Sequence, residues 1–494
     1  MARFRVTRAP GLLLCLLGAW SGLANPAQAE AILHAFGWSY QDIANQADAI
    51  AKAGYKAVLV SPPLKSPKQG DCAWFLRYQP QDFRVIDHCD GNKQSLVKAI
   101  QALNAKGVKT YADVVVNQMA NERNNDTTFP GDATLKDYAR NNRYWRQQIL
   151  YGDANGDGIL DNGVLPNDNQ HDGLFGPQDF HAERCIQNYH DRESVLRDRI
   201  CGASPDRGLP DLKDTDPGQN WVNNQRKQYI QALYDLGIRG FRIDAAKHMP
   251  IGAINYFIPE SIRQKAHIFA EIITWGGATD KEYQLSLEPY LRELPAEFGA
   301  YDFPLLNALK RSFSLHGRLG DVAFPYATGN ALENRRAVTV AVTHDVPYNN
   351  SFRSLILDAK DEELAYAYIL GRDGGSPLVF DDGTPRPSDG GRWAKVWNRP
   401  LMKAMLGFHN RLQGQPMEVL ASDGCALLWR RGEAGIVALN KCNQAVSFAV
   451  DTRFRFKWNH PYIDVLSHQP LPPIQGPSTT FTIPARTAQM WLAQ

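Results

Sequence analysis

The chain lacks a glycine-rich phosphate turn after its first strand-like run, which argues against an open, dinucleotide-binding sheet. No two cysteines have C-x-x-C spacing, so a redox or zinc centre of that kind is excluded. A strong charge of either sign is also missing. The 54 Lys and Arg against 52 Asp and Glu leave a formal charge of +2. That balance gives no reason to expect nucleic acid or an anionic membrane as partner and points to a neutral substrate. Past the N-terminus no segment is long and apolar enough to span a bilayer, which takes about 20 residues. There is no internal repeat and no low-complexity tract. What remains is an ordinary soluble composition, 44% hydrophobic and 21% charged over 494 residues. That length predicts more than one domain and a large core.

The first residues form a unit of their own. Arg3, Arg5 and Arg8 precede the apolar run Gly11 to Leu23, which leads to Ala27-Gln-Ala29. A basic flank, a short apolar stretch and a small-x-small site predict a secretory signal peptide over 1–29, cleaved before Glu30. Secretion, extracellular or periplasmic, with no membrane association after cleavage, is the expected address. Of seven cysteines, Cys15 falls in this leader, leaving six: Cys72, Cys89, Cys185, Cys201, Cys425 and Cys442. Six allow 15 pairings. Their grouping along the chain favours Cys72 with Cys89, Cys185 with Cys201 and Cys425 with Cys442.

From Ala31 onward, β-rich runs alternate with amphipathic helical stretches about eight times. Candidate strands are Ala31–Trp38, Ala57–Ser61, Val108–Val116, Gly240–Ala245, His267–Ile273, Ala300–Phe303, Val338–His344 and Pro377–Phe380. This alternation predicts an α/β fold, a closed (β/α)8 TIM barrel, over 30–116 and 221–414. It is interrupted by an Asn-, Asp-, Gly- and Pro-rich stretch, 117–220, too long for a plain loop and therefore an inserted domain after the third strand. Beyond 415 short alternating strands, Cys425–Trp429, Gly435–Asn440, Ala445–Val450 and Thr480–Ile483, predict a C-terminal antiparallel β domain.

Three acids each close an apolar run: Asp244 in Gly240-Phe-Arg-Ile-Asp244, Glu271 in Ile268-Phe-Ala-Glu271 and Asp345 in Val340-Ala-Val-Thr-His-Asp345. Barrel chemistry gathers at the C-terminal ends of strands. Arg242 and Asp244 stand two apart on one strand, so their side chains share a face. The guanidinium is expected to hold the carboxylate ionised, although an ordinary rim salt bridge would look the same.

Order and spacing of these segments resemble the α-amylases of glycoside hydrolase family 13. The resemblance is carried by Asp113-Val-Val-Val-Asn117, Leu209-Pro-Asp-Leu212, Gly240 to His248, Glu271-Ile-Ile-Thr-Trp275 and His344-Asp345, with His34-Ala-Phe-Gly-Trp38 and Tyr78-Gln-Pro-Gln-Asp-Phe83 nearer the N-terminus. It implies retaining endo-hydrolysis of α-1,4-glucosidic bonds in starch, glycogen and maltooligosaccharides by a monomer. In that scheme Asp244 is the nucleophile, Glu271 the proton donor and Asp345 the third acid. Arg242 orients the nucleophile, Tyr78 stacks beneath the reacting sugar, His344 and Gln118 hydrogen-bond it, Lys247 and His248 line the leaving-group side, and Trp275 is a further substrate-binding residue. The resemblance also implies calcium held by Asn117, Asp211 and the His248 carbonyl.

Two positions depart from the family pattern. Gln118 stands where the family has His, and Val342-Thr precedes His344 where Asn is common. A second calcium loop is read in Asp153, Asn155, Asp157 and Asp161, with Gly158 at the sixth position. Its twelfth position is Val164 rather than Glu, and a solvated turn explains it as well. An exo-acting amylase or a transglycosylase would carry the same acids. A non-catalytic glucan-binding protein would share the scaffold.

Overall fold

The computed structural model describes residues 29–122, 128–153, 160, 174–202, 206–214, 221–384, 389–453, 460–472, 474 and 476–494. Eight parallel strands carry it: β1 (Ile32–Phe36), β2 (Ala57–Val60), β3 (Lys109–Val114), β4 (Gly240–Ile243), β5 (His267–Ala270), β6 (Phe298–Tyr301), β7 (Ala337–Val340) and β8 (Ser376–Asp382). Neighbours in sequence pair, and β8 returns to β1, closing the barrel and leaving no edge to protect. Only Lys109 among these residues is not buried. Burial on both faces is why the strands read as unbroken apolar runs. Closure is reinforced at the rim, where Trp38 Nε1 donates to Asp381 Oδ1 at 3.1 Å.

Local signals set the surrounding helices. Tyr40–Ala53 starts at Ser39, whose hydroxyl accepts from the Asp42 N–H, and stops at Gly54 with φ 105°. Lys93–Asn104 is opened by reciprocal Asn92 and Ser95 bonds and buries Leu96, Ala99, Ile100 and Leu103 at helical spacing. Gly240 opens β4 against the Tyr111 ring, 2.4 Å from where a Cβ would sit, so no larger residue fits there.

The strands are mostly shorter than the apolar runs. The run Val338–His344 leaves the sheet after Val340, so Asp345 does not close a strand: it begins a short helix, Asp345–Tyr348. Residues 341–344 remain buried, which apolar patterning registers, but they have no ladder partner. The run Ala300–Phe303 likewise mixes the end of β6 with the start of the helix Phe303–Phe313, capped by Asp302.

Between β3 and β4 the chain makes short helices (Asp132–Arg140, Asn142–Trp145, Arg192–Arg197) and isolated antiparallel bridges. Among these, Gln118↔Asp211 and Phe180↔Leu212 lie close to the barrel segment. After the helix Pro400–Arg411 come β9 (Met417–Ser422), β10 (Ala426–Arg431), β11 (Gly435–Asn440), β12 (Val446–Asp451), β13 (Tyr462–Asp464), β14 (Ser478–Ile483) and β15 (Thr487–Ala493). They form a five-stranded sheet in the order β9-β10-β11-β15-β13 and a pair β12-β14. Strands β9, β13 and β15 escape sequence patterning. The Thr-Ala-Gln-Met-Trp-Leu-Ala of β15 is helix-prone, and pairing with β11 and β13 overrides it.

This terminal unit is bolted to the barrel. Trp429 Nε1 and Arg431 Nη1 donate to the Gly371 carbonyl at 3.1 and 3.0 Å. Lys441 Nζ donates to the carbonyls of Ser312, Ser314 and Gly317 at 2.8, 2.8 and 2.5 Å, a cation placed at the end of the helix Phe303–Phe313.

Disulfides join Cys72 to Cys89, Cys185 to Cys201 and Cys425 to Cys442, the pairing expected from their grouping. No helix among the described residues is long and apolar enough to cross a membrane. The predicted leader, apart from Ala29, lies outside the described residues.

Candidate active site

One buried guanidinium organises the C-terminal mouth of the barrel. Arg242 Nη1 donates to Asp113 Oδ1 at 2.7 Å and Oδ2 at 2.9 Å, and to Asp244 Oδ1 at 2.7 Å. Its Nη2 donates to Glu271 Oε1 at 2.5 Å. The carboxyls come from the ends of three adjacent strands, β3, β4 and β5, and Asp113 faces Arg242 in register. Asp113 went unassigned in the sequence. Its signal is a lone acid inside the apolar strand Lys109–Val114.

The residue after Asp244 completes the geometry. Ala245 takes φ 49°, an uncommon left-handed conformation for a residue with a side chain. That turn aims its N–H at Glu271 Oε2, 3.1 Å away. Glu271 is thus held on both oxygens, by β4's arginine and by the backbone two residues past β4.

Asp345 joins from beyond β7. Its carboxyl raises Glu271 electrostatically, while its own Oδ2 stays buried with no hydrogen-bond partner. Four carboxyls around one guanidinium cannot all ionise cheaply out of water. Burial first, then neighbouring carboxyls, pushes Asp244 and Glu271 up to about 7, with Arg242 opposing both. Asp113 is pushed up to about 6 for the same reasons, and Asp345 is raised as well. Arg242 acts on Asp244 in the direction expected of a guanidinium, towards the ionised form. Burial outweighs the arginine.

An aromatic wall stands opposite. Tyr78 donates its hydroxyl to Asp113 Oδ2 at 3.0 Å, and its ring lies parallel to His344, centroids 5.2 Å apart. Trp74, Phe36 and Tyr348 pack around the same histidine or each other. Burial and Arg242 hold His344 well below its usual range, so the ring is neutral, with Nε2 3.5 Å from Asp345 Oδ2. Beside this wall a cavity of about 1320 Å³ opens past Gln79 and Ala120, the neighbours of Tyr78 and Met119, towards half-exposed Phe75.

Several expected sugar contacts are otherwise engaged. Gln118 Nε2 donates to Asp244 Oδ2 at 3.4 Å and to the Tyr78 carbonyl at 3.3 Å, leaving its buried Oε1 without a partner. An acceptor, not a donor, is what Gln118 has free. Lys247 Nζ is paired with Glu282 and donates to the Ile273 carbonyl at 3.1 Å. His248 Nδ1 lies 3.1 Å from the Val195 carbonyl. Trp275 is 41% exposed and stacks on Phe352.

The expected calcium ligands meet in part. Asn117 Nδ2 donates to Asp211 Oδ1 at 3.1 Å, and Asp211 Oδ2 lies 2.6 Å from His181 Nδ1. Asn117 Oδ1 is buried without a partner, and burial pushes Asp211 up to about 6. An orphaned amide oxygen beside a buried carboxyl fits a hard cation with oxygen ligands. Among the described residues no cluster of three or more His, Cys, Asp or Glu could hold a metal. Of the second calcium loop only Asp153 is described; Asn155, Asp157 and Asp161 lie outside the described residues.

Comparison with known proteins agrees with this fold. The family described as Alpha amylase, catalytic domain, matches residues 37–287. An α-amylase from Aeromonas hydrophila is 44% identical over 468 residues, covering 94% of this chain and 96% of the relative. One from Tribolium castaneum is 27% identical, covering 87% and 86%. Among solved structures, an α-amylase I of Eisenia fetida in complex with maltohexaose superposes with a TM-score of 0.70 at 22% identity, covering 93% and 96%. A three-domain cyclomaltodextrin glucanotransferase does so with 0.64 at 19%, covering 94% and 99%. With a barrel, a rim of carboxyls and a relative matched over nearly its whole length, this chain belongs to the α-amylase family of starch-degrading glycoside hydrolases.

Proposed function

We propose that the carboxyls gathered by Arg242 cleave internal α-1,4-glucosidic bonds with retention of configuration. The observation that carries this reading is the fork of Arg242, which holds Asp244 and Glu271 on its two terminal nitrogens. Retention requires two carboxyls close across the bond, about 5–5.5 Å apart. Glu271 gives its proton to the glycosidic oxygen as Asp244 attacks the anomeric carbon; the C–O bond to the leaving sugar breaks and a glycosyl ester forms. Glu271, now ionised, takes a proton from water, which attacks the same carbon and releases Asp244. Asp345 stabilises the positive charge that develops on the sugar ring. Asp113 and Tyr78 fix the guanidinium from behind.

The working form has Asp244 ionised and Glu271 protonated. Raised protonation ranges make that form accessible near neutral pH, because the cluster retains protons that exposed carboxyls would lose. Asn117, Asp211 and the His248 carbonyl would hold a calcium ion, which supplies a structural clamp between the inserted segment and the barrel and no chemistry. The three disulfides accord with an oxidising compartment, and with the N-terminal leader they favour an exported monomer acting on α-glucan. The barrel unit would span 30–116 and 221–414, the insertion 117–220 and the terminal unit 415–494.

Proton NMR of the first product released from a maltooligosaccharide tests the mechanism. The α-anomer is expected, together with mixed product lengths from starch and a loss of about 10⁴-fold or more in kcat for Asp244→Asn. A β-anomer first, or an active Asp244→Asn, overturns it. A single short product, or larger transfer products, would replace endo-hydrolysis by exo-action or transglycosylation on the same acids.

A further inference from the structure

Asp113 lies within its strand, and Asp244 and Glu271 directly follow theirs. Asp345 has no such support. β7 ends at Val340, residues 341–344 are buried without a ladder partner, and Asp345 starts a helix of only four residues, Asp345–Tyr348. The Asn349 N–H donates to the Asp345 carbonyl at 2.7 Å and the Val346 N–H to the Thr343 carbonyl at 3.2 Å. A single turn with so few bonds does not hold itself. Nor does the carboxyl's Oδ2 anchor it, being buried without a hydrogen-bond partner. Contacts from outside the helix must fix where Asp345 stands.

They come at the other end of the turn. The Tyr348 hydroxyl donates to Asp382 Oδ2 at 2.6 Å, with the Thr384 carbonyl 3.1 Å away. Asp382 is the last residue of β8 and is itself fixed. It pairs in register with Phe36, its N–H donates to the Trp393 carbonyl at 3.0 Å, and its Oδ1 accepts from the Thr384 N–H at 2.9 Å. Gly383, the next residue, donates its N–H to the Phe36 carbonyl at 2.8 Å. A Cβ at Gly383 would lie 2.7 Å from the Trp38 ring and 2.9 Å from the Gly37 oxygen. The anchor is therefore the seam between β1 and β8, at a place where the two backbones nearly touch. Phe36 and Trp74 wall in the tyrosine ring, centroids 5.4 and 5.5 Å away. Asp345 and Tyr348 stand three residues apart, so their side chains are neighbours on one face of the turn. Holding the hydroxyl holds the rotation of the helix, and with it the carboxyl.

We propose that Tyr348 and Asp382 are positioning residues for the third acid: their hydrogen bond sets the rotation of the Asp345–Tyr348 turn and so aims the Asp345 carboxyl at the charge that develops on the sugar ring. Neither acts on the sugar itself. This role rests on the reading of Asp345 as the acid that stabilises that charge. Such stabilisation depends on where the carboxylate stands when the charge appears, so a loosened turn should cost kcat and leave KM nearly unchanged.

A double-mutant cycle is the test, with α-maltotriosyl fluoride as substrate, because a fluoride leaving group keeps the slowest variants measurable. Tyr348→Phe keeps the ring and loses the hydroxyl. Its kcat is expected to fall about 10- to 100-fold with KM within about twofold of wild type. Asp382→Ala should match it, and Asp382→Asn, which keeps an oxygen for the hydroxyl, should retain more activity than Asp382→Ala. Added to Asp345→Asn, Tyr348→Phe should cost less than about twofold more, because no carboxylate is left to aim. The same loss in both backgrounds overturns the proposal, as does a loss that falls on KM or a Tyr348→Phe enzyme with wild-type kcat. If melting curves show that Tyr348→Phe does not fold, Asp382→Ala takes its place in the cycle with the same outcomes. An Asp345→Asn chain as active as wild type overturns the role of Asp345 itself. A wild-type chain inactive on both the fluoride and starch overturns the hydrolytic reading beneath it.

Discussion

At the scale of single residues, Gln118 is the position whose chemistry differs most from expectation. Its amide N–H steadies the second oxygen of Asp244 and favours the ionised carboxylate. Gln118→Leu removes that donor, so Asp244 should protonate at higher pH. The acidic limb of the kcat/KM profile should move upward and kcat/KM should fall about tenfold, the worth of one hydrogen bond to a charged group. An unmoved limb would show that the 3.4 Å contact does not tune the nucleophile. Gln118→His tests the family residue in the same assay and should match or exceed the wild type. Linkage gives a second outcome. Asp244 and Glu271 are raised in the folded chain, so folding takes up protons and native stability declines as pH rises from about 4, the unfolded range, to about 7. Asp244→Asn removes one of these groups. Its melting temperature should exceed that of wild type at pH 8 and converge with it at pH 4; the reverse trend would contradict the burial argument.

Among the elements, the 3-10 helix Trp74–Tyr78 contributes most to the site for its length. It is tied twice to one neighbouring turn, by Cys72–Cys89 and by Arg77, whose Nε and Nη2 donate to the two oxygens of Asp90 at 2.6 Å each. Both partners are buried, so Arg77→Leu strands a carboxylate and should cost about 3–5 kcal/mol in a denaturant titration. It should also lower kcat/KM, because Tyr78 is the next residue. A variant of unchanged stability would show that the disulfide alone carries the turn. What the sequence revealed here follows from what patterns encode. Strand patterning marked all eight barrel strands, with β6 shifted at its ends, because burial on both faces is written in composition. Asp244 and Glu271 directly follow their strands and were visible by position. Asp345 was visible as the acid closing a buried apolar run, although the chain leaves the ladder before reaching it. Asp113 was not seen as a site residue, because its meaning comes from register between neighbouring strands. The Gln118 contacts and the elevated carboxyls depend on distances no pattern states.

For the molecule as a whole, calcium and closure matter most. If Asn117 and Asp211 hold an ion that joins the insertion to the barrel, a chelator should lower the melting temperature and calcium should restore it. Magnesium, which prefers a smaller octahedral shell, should do so poorly. Asn117→Ala should abolish the difference. A melting temperature indifferent to chelator would remove the ion from the account. The pairing of β1 with β8 bears on a different property. Ile32 meets Leu378 and Phe36 meets Asp382, and the Trp38–Asp381 bond spans 343 residues. Contacts so distant along the chain make for slow folding, since a large loop must close before they repay its entropy. A ribosome must therefore complete about three quarters of the polypeptide before the ring can shut. Until then the strands already made have an open edge and the carboxyl cluster is unassembled. Under the export proposed above, that delay would keep the chain threadable, and inactive, while it is still inside the cell that made it.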